Sequence, residues 1–388
     1  MLKLLQRFKK DFEKGGKFQR FYAIYEMVET ILFVPPHKTN KGAHIRDAFD
    51  MKRFMFFVVI AATPAFLVGI YNAGLQHFLA GGTNPGFLPT FIKGLLIVMP
   101  IYIVTLAAGG VWEVLFAVVR KHEVNEGFLV TSFLIPMILP PTIPLWQVAV
   151  STSFGIVISK EVFGGVGMNI FNPALVSRAF LFFAYPKAIS GDSVWTLFPE
   201  KIIDTYTTAT PLAVIGESGS TSAIESLNCS GYNLWDLVIG FIPGSIGETS
   251  FIAIMLGSIF LLVTGIASWR ITFSVFAGAF ALVTLFNLVT PDSSHIMALP
   301  FHYHIVLGGF AFGAVFMATD PVSASATNVG KYIYGFGIGI MAILVRVLNP
   351  AYPEGMMLAI LFMNLFAPLI DHSVLAIHKK RRMNRGKK

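Results

Sequence analysis

Charged residues are scarce in this chain of 388 residues. Only 13% are Asp, Glu, Lys or Arg, whereas 55% are hydrophobic and the mean hydropathy is +0.69. Roughly a quarter of the residues of a soluble domain are charged, so the chain lacks the polar surface that water requires. This shortage excludes a soluble enzyme and a disordered protein, and it predicts an all-α polytopic membrane protein.

Cysteine is almost absent as well, since Cys229 is the only one. One cysteine excludes a disulfide within the chain, a four-cysteine zinc site and a cysteine-ligated iron–sulfur cluster. His302 and His304 are two residues apart and do not share a helix face, so we expect no metal site within the chain alone. The sequence also has no G-x-G-x-x-G loop for a dinucleotide. Any redox cofactor must be organic or shared with a partner.

The net charge of +8 is concentrated at the two ends of the chain. Of the 29 Lys and Arg residues, 12 lie in 1–53 and seven in 379–388. Basic clusters beside apolar spans stay in the cytoplasm, so this pattern favours membrane topology over nucleic-acid binding. We expect both termini in the cytoplasm and an even number of crossings.

Ten apolar stretches fit that topology, with 24 cations on the cytoplasmic side and four, including Arg346, on the other. The stretches are 54–76, 94–119, 127–139, 145–163, 169–186, 251–269, 271–290, 299–319, 332–348 and 355–371. Five crossings per half place the halves in opposite orientations, which is typical of inverted repeats with broken helices. The predicted regions are a cytoplasmic basic segment (1–53), a first five-helix repeat (54–186), an outer loop with a short re-entrant segment (187–250), a second five-helix repeat (251–371) and a basic tail (372–388).

One motif is similar in the two halves. The first half contains FGGVGMNIFNPALVSRA and the second FGAVFMATDPVSASAT, each with Gly and Phe before Asn-Pro or Asp-Pro. In inverted repeats, paired segments broken by Gly and Pro meet near the membrane centre and offer unpaired backbone groups to a ligand. Both motifs are therefore candidate ligand sites.

Ionisable residues within the spans also need an explanation, because they are costly in hydrocarbon. Glu113 follows Gly109 and Gly110, which leave room for a flat ligand or for a closely packed helix. We expect Arg178 to pair with a carboxylate or a bound anion, and Lys160 with Glu161 to form a solvated ion pair.

The outer loop contains KIIDTYTTATPL, a hydroxyl-rich stretch. Its composition alone fits a soluble linker or a site of covalent modification.

These motifs together resemble the NqrB family of membrane subunits from sodium-translocating NADH:quinone reductases and the related RnfD subunits of the Rnf complexes. The resemblance runs from about residue 12 to the last span. It is carried by FEKGGKFQRFYAIYE, GAHIRDAFDMKRFM, GGVWE, LPPTIPLWQ, KEVFGGVGMNIFNPALVSRAFLFFAYP, the stretch at 204–210, GSIGETS and FMATDPVSAS.

The resemblance implies an FMN joined through its phosphate to Thr210, added by a flavin transferase on the outer face of the membrane. The surrounding motif comprises Asp204, Thr207 and Ala209. One position departs from the family pattern, because Thr208 stands where Gly is usual and offers a competing hydroxyl.

The resemblance also implies a non-covalent riboflavin near Asn169 and Asn172, although Asn172 could simply cap the helix that Pro173 begins. It assigns quinone binding to Gly109, Gly110 and Glu113.

The function implied is that of a translocase subunit in the bacterial inner membrane. Electrons would pass from a partner flavin subunit to FMN, riboflavin and quinone, coupled to Na+ export, with Glu113 and Asp371 as ion-linked carboxylates. Partners would be subunits of types A, C, D, E and F. Two alternatives stay open: an Rnf-type subunit with the same flavins but no quinone site, and a flavin-free transporter of similar architecture.

Overall fold

A computed structural model describes residues 51–120, 127–199, 206–216, 222–290, 296–349 and 354–385, together with Phe12, Gly16 and Tyr25. All regular secondary structure in these ranges is helical. The rest of the basic segment before Met51, and the predicted motif residue Asp204, lie outside the described residues.

The α-helices are numbered here in chain order. They are α1 Met51–Ala80, α2 Phe87–Arg120, α3 Gly127–Met137, α4 Leu145–Ile156, α5 Pro173–Ala184, α6 Pro186–Ile189, α7 Pro211–Gly216, α8 Ala223–Cys229, α9 Leu234–Ile239, α10 Phe251–Val263, α11 Trp269–Val289, α12 Phe301–Val306, α13 Phe310–Phe312, α14 Asn328–Leu348 and α15 Met356–Arg385. Short 3-10 helices cover Asp192–Val194 and Ile296–Ala298.

Five helices, α1, α2, α11, α14 and α15, are long and apolar enough to cross a membrane. Their outward faces are apolar too: on α2, Leu96 is 66% exposed, Ile103 57% and Val111 63%. Such surface is costly in water, at about 25 cal/mol per Å², and costs nothing in lipid. The prediction of an all-helical membrane protein is confirmed at this level.

The remaining apolar stretches form short or interrupted helices. α3 has only 11 residues, and the predicted span 299–319 is divided into α12, α13 and a π-helical turn, Gly313–Met317. α4 likewise ends in a π-helical turn, Val157–Glu161. The first π turn precedes the Asn-Pro motif and the second lies within the Asp-Pro motif, so each half has such a turn before its Asn-Pro or Asp-Pro dipeptide.

A helix break leaves backbone carbonyls without hydrogen-bond donors from the same helix. At the end of α3, another segment of the chain supplies these donors. The N–H groups of Gly247 and Ile246 donate to the carbonyls of Met137 (2.7 Å) and Leu139 (3.2 Å). Gly247 is necessary at this approach, because a Cβ atom would lie 2.6 Å from the Met137 side chain. The GSIGETS segment therefore closes the broken end of α3.

A buried arginine closes the break after α12. Arg346 donates to the carbonyls of His304 (2.7 Å) and Leu307 (3.0 Å), and the chain turns at Gly308 with φ of +63°. The sequence interpretation counted Arg346 among the cations on the outer side of the membrane, and that side stays a prediction. The residue lies within α14 and is 1% exposed, because its guanidinium donates to the two freed carbonyls.

Glycines allow α11 and α14 to pack with their backbones in contact. Gly335 and Gly339, one turn apart on α14, approach the carbonyl oxygens of Ile271 and Val275, and Gly278 on α11 approaches that of Phe336. This arrangement matches the small-residue packing of membrane helices. In a membrane the hydrophobic effect does not drive helices together, and van der Waals contact between closely approaching backbones stabilises the helix pair instead.

Gly339→Ala should lower the thermal stability of the purified protein. Its Cβ would lie 2.1 Å from the Val275 oxygen, and overpacking of this kind costs about 1–3 kcal/mol. The control is Gly216→Ala, whose Cβ meets no atom within 4 Å. Thermal unfolding in detergent measures both variants, and equal midpoints would contradict the packing argument.

Candidate functional site

The two paired motifs meet at one cavity. Its wall contains Asn169 and Asn172 from the first half and Asp320 and Pro321 from the second. The cavity volume is about 70 Å³, with part of the cavity open to the surroundings, and it is smaller than the usual small-molecule site. Apolar side chains complete the wall, among them Val58, Leu134, Leu261 and Phe316. Both motifs therefore line one cavity, and ligand binding there stays a prediction.

Local hydrogen bonds hold the polar residues of this cavity. Asn172 Oδ1 accepts the N–H of Ala174 at 3.0 Å and caps α5, while Asn169 Nδ2 donates to the Phe171 carbonyl at 3.1 Å. Asp320 accepts from the hydroxyl of Ser323 at 2.8 Å. The capping alternative for Asn172 is confirmed, and the same side chain still lines the cavity.

A chain of four charges runs from this cavity to α2. Lys160 Nζ donates to Glu113 Oε1 and lies 3.8 Å from Glu161 Oε1. The other carboxylate oxygen of Glu161, Oε2, accepts from Arg120 Nη1 at 3.1 Å. Lys160 is 2% exposed and Glu161 1%. The expectation of a solvated Lys160–Glu161 pair is wrong, because the end of α4 is covered by neighbouring helices and not by water.

The residues predicted for quinone binding face two environments. Gly109 packs against Phe128 and Ile156, where a Cβ would lie 2.5 and 2.7 Å from those side chains, so its open space is filled by neighbouring helices. Glu113 is buried on the same side at 3% exposure. Gly110 instead lines an apolar groove on the exposed surface of α2. The other lining residues are Val111, Val114, Leu115, Val118 and Val119. Quinone binding by these residues stays a prediction.

Asp371 holds the loop that precedes α14. Its carboxylate accepts from the Ser325 hydroxyl (2.6 Å), the Ala326 N–H (2.7 Å) and both the N–H (3.0 Å) and hydroxyl (2.5 Å) of Thr327. Four donors match the acceptor capacity of a carboxylate. This geometry anchors the loop, and an ion-linked role for Asp371 stays a prediction.

Thr210 lies at the start of α7 and at the edge of a second cavity. Its hydroxyl accepts the N–H of Ala213 at 3.2 Å, as an N-cap residue does. The preceding Ala209 is fixed by Tyr232, whose hydroxyl donates to the Ala209 carbonyl at 2.9 Å. Thr207 is exposed and accepts the Ala209 N–H at 3.3 Å.

A hydrogen-bond relay ties the same stretch to α1. Tyr206 donates to Gln76 Oε1, Gln76 donates to Asn72 at 3.0 Å, and Asn72 donates to the Ile242 carbonyl at 2.8 Å. Burial raises the pKa of Tyr206 to about 12, so its phenol stays protonated and continues to donate at physiological pH. The stretch is thus held in place and is not a free linker.

The cavity at Thr210 is also lined by Glu248 and Glu354, both of which bind Arg178. Arg178 Nη1 donates to Glu248 at 2.8 Å and Nη2 to Glu354. The expectation that Arg178 pairs with a carboxylate is confirmed. Sequence reasoning missed Glu354, although an acidic residue directly before an apolar span was a visible signal.

Among the residues that the structure describes, no group of three or more His, Cys, Asp or Glu is arranged to hold a metal ion.

Comparison with known proteins gives one consistent result. The profile of the NQR2, RnfD, RnfE family matches residues 38–379. The chain is 51% identical to the B-type subunit of the Na(+)-translocating NADH-quinone reductase of Chromohalobacter salexigens, over 98% of this chain and 95% of that protein. Identity to the B-type subunits of the same enzyme from Stutzerimonas stutzeri and Klebsiella pneumoniae subsp. pneumoniae is 50% and 47%, over 98% or more of each chain.

Arg178→Met should destabilise the protein strongly, because it leaves two carboxylates without their cation in a buried position. Breaking a buried pair in this way costs about 3–5 kcal/mol. Thermal unfolding in detergent gives the measurement, with Lys187→Met on the exposed α6 turn as the control, expected within about 0.5 kcal/mol of the parent. Equal stability of the two variants would show that the buried pair contributes little.

Proposed function

Because the chain belongs to the NQR2, RnfD, RnfE family, we propose that it is the B-type subunit of a Na+-translocating NADH-quinone reductase. The observation that carries this proposal is the identity of about 50% to proteins of that name along almost the whole chain. The subunit works within a larger complex, with membrane and flavin subunits of types A, C, D, E and F as partners.

We propose further that the chain makes ten crossings of the bacterial inner membrane as two inverted five-helix repeats, with both termini in the cytoplasm. The five long helices, the two π turns before the Asn-Pro and Asp-Pro dipeptides and the cavity between the two motifs support this topology. The short helix α3 is shielded by neighbouring protein, since Phe133, Leu134 and Ile135 are buried, as interrupted backbone in a membrane requires.

Thr210 is the proposed attachment point of FMN, which a flavin transferase adds. The described residues fit such a group: the hydroxyl is half-buried at a cavity edge, and the Ala213 N–H already donates to its oxygen. A phosphoester at this oxygen would lie where backbone N–H groups favour negative charge. A flavin held there supplies one- and two-electron transfer. Tyr232 and Tyr206 keep the attachment segment in place.

Riboflavin is the proposed non-covalent ligand of the cavity between the paired motifs. The amide groups of Asn169 and Asn172 provide donors and an acceptor for the mixed polar edge of a flavin ring, and the apolar wall suits its remaining surface. Asp320 adds an acceptor on the opposite side. These residues bind and orient the ring.

Quinone is proposed to bind on the cytoplasmic side near Gly110 and Glu113, where the apolar groove of α2 suits a lipid-soluble substrate. Glu113 is the stronger ion-linked carboxylate, because it is buried at 3% exposure. Asp371 is the weaker one, since four donors already occupy its oxygens.

The Rnf-type alternative belongs to the same family and shares the proposed flavin sites. Because the quinone reductase relatives match this chain over 98% or more of its length, including the N-terminal segment, the quinone reductase is preferred. A flavin-free transporter is disfavoured by the same relatives.

Thr210→Ala should abolish covalent flavin. The chain is expressed with a flavin transferase, denatured and assayed by in-gel fluorescence, and the wild type should fluoresce. Thr208→Ala, which removes the competing hydroxyl two residues away, is the matched control and should keep the signal. Fluorescence of the Thr210→Ala protein would show that the flavin is attached to another residue. A wild-type protein without fluorescence would contradict the flavin proposal.

Asn169→Leu should reduce the non-covalent flavin content of the purified complex at least tenfold, because one lost uncharged hydrogen-bonding group in a dry site costs about 1–3 kcal/mol and the larger apolar chain crowds the ring. Flavin extracted with acid and separated from the covalent fraction provides the measurement. Asn349→Leu, at an exposed helix end, is the control. Unchanged riboflavin with Asn169→Leu would place the ligand elsewhere.

A further inference from the structure

A buried threonine beside the Thr210 cavity has a hydroxyl group without a hydrogen-bond partner. The Thr249 side chain lines that cavity and is 5% exposed, yet nothing in the described part of the chain pairs with its oxygen, Oγ1. Buried polar atoms are satisfied in the great majority of cases, because an unpaired one has lost its hydrogen bonds to water and gained none in return. The unpaired hydroxyl therefore indicates that a water or a ligand atom belongs beside it.

The backbone on both sides of Thr249 is held in place. Two residues earlier, the Gly247 N–H donates to the Met137 carbonyl at 2.7 Å. The next residue, Ser250, is the N-cap of α10, and its hydroxyl accepts the Ala253 N–H at 3.4 Å. These contacts limit how far Thr249 can move toward a partner elsewhere in the chain. Its partner therefore has to enter the cavity.

The cavity has room for one small group. Its volume is about 20 Å³, and a single water molecule needs about 10–15 Å³, so a flavin ring does not fit. Thr210 lines the same cavity, which places the space next to the first atoms of any group attached to the Thr210 hydroxyl. In FMN the phosphate is followed by the ribityl chain, which carries hydroxyl groups along its length.

The polar side chains that line the cavity bear carboxylates or hydroxyls, and the described residues include no lysine or arginine among them: Glu248, Glu354, Thr210, Ser245 and Thr249. The two arginines nearby are already engaged. Arg178 donates to both carboxylates, and Arg346, which lies close to Gly308 in the cavity wall, donates to two backbone carbonyls. An anion in the cavity would face two carboxylates. A neutral hydroxyl group suits this wall, because it can donate to a carboxylate and accept from Thr249.

We propose that Thr249 contacts the cofactor attached at Thr210: its hydroxyl donates to a ribityl hydroxyl of FMN that occupies the cavity, and the ribityl hydroxyl donates to Glu248 or Glu354. This inference rests on the proposed function, because it requires FMN on Thr210. It gives the GSIGETS segment a second role, since the residue that follows Gly247 and Glu248 then holds the part of the cofactor nearest to its attachment point.

The test compares Thr249→Val with the wild type in chains expressed with and without a flavin transferase. Thermal unfolding in detergent is followed by far-UV circular dichroism. Without flavin, Thr249→Val should be at least as stable as the wild type, because it removes an unsatisfied buried group. With flavin, Thr249→Val should unfold about 1–2 °C below the wild type, because only threonine can then form the hydrogen bond to the cofactor.

Three controls accompany this comparison. In-gel fluorescence should show equal covalent flavin in the wild type and in Thr249→Val, since the contact is not needed for attachment. Thr249→Ser, which keeps the hydroxyl, should respond to flavin as the wild type does. The third control is Thr152→Val. The Thr152 hydroxyl is also buried and unpaired but lines neither of the two cavities, so its removal should shift the unfolding midpoint equally with and without flavin.

An equal effect of Thr249→Val on the two forms, with covalent flavin present, would overturn the inference, because the partner of the hydroxyl would then not depend on the cofactor. If Thr249→Val does not fold, Thr249→Ser and Thr249→Ala, which differ only in the hydroxyl, replace it in the same comparison. Equal responses of that pair to flavin would likewise overturn the inference. A wild-type chain without covalent flavin would instead refute the proposed attachment of FMN, and the inference with it.

Discussion

Backbone and charged groups have no water to pair with inside this molecule, and the rest of the structure depends on that constraint. Helices satisfy it along their length, but the chain interrupts its helices at several points, and each interruption needs its own donors. At the end of α3 the donors are the N–H groups of Ile246 and Gly247. After α12 they come from the side chain of Arg346. These contacts join segments that are distant in sequence, so each break is bridged by another part of the chain.

The interruptions also border two cavities in the part of the chain that the structure describes. One cavity lies between the Asn-Pro and Asp-Pro motifs, and the other lies beside Thr210. Each adjoins a buried cation with two carboxylate neighbours: Lys160 at the first and Arg178 at the second. A cofactor that gains charge is stabilised or destabilised by such fixed neighbours far more strongly than it would be in water. The surroundings of both cavities therefore suit electron carriers whose charge changes during the reaction.

Much of this organisation could be predicted because it has a local cause. Hydrophobic length predicts long helices, Gly and Pro predict where helices are interrupted, and the cost of a charge in hydrocarbon predicts that Arg178 has an anionic partner. The prediction was wrong where the answer depended on distant segments. Lys160 and Glu161 were expected in water but are covered by neighbouring helices. The burial of Arg346 at a helix break was not predicted. Glu354 was overlooked, although it lies against Arg178.

By itself the sequence determined the class of protein, the similarity of the two halves and the family, because composition, periodicity and motif spacing are properties of the chain alone. Only the tertiary structure decided which groups meet. In the folded chain Glu113 pairs with Lys160, and Phe128 and Ile156 fill the space beside Gly109. The carboxylate of Asp371 accepts hydrogen bonds from the loop before α14, and Thr210 lines the same cavity as Glu248 and Glu354. The physical reason is that each of these contacts joins residues separated by tens or hundreds of positions, and pairing of buried charges is set by three-dimensional packing and not by neighbours in sequence.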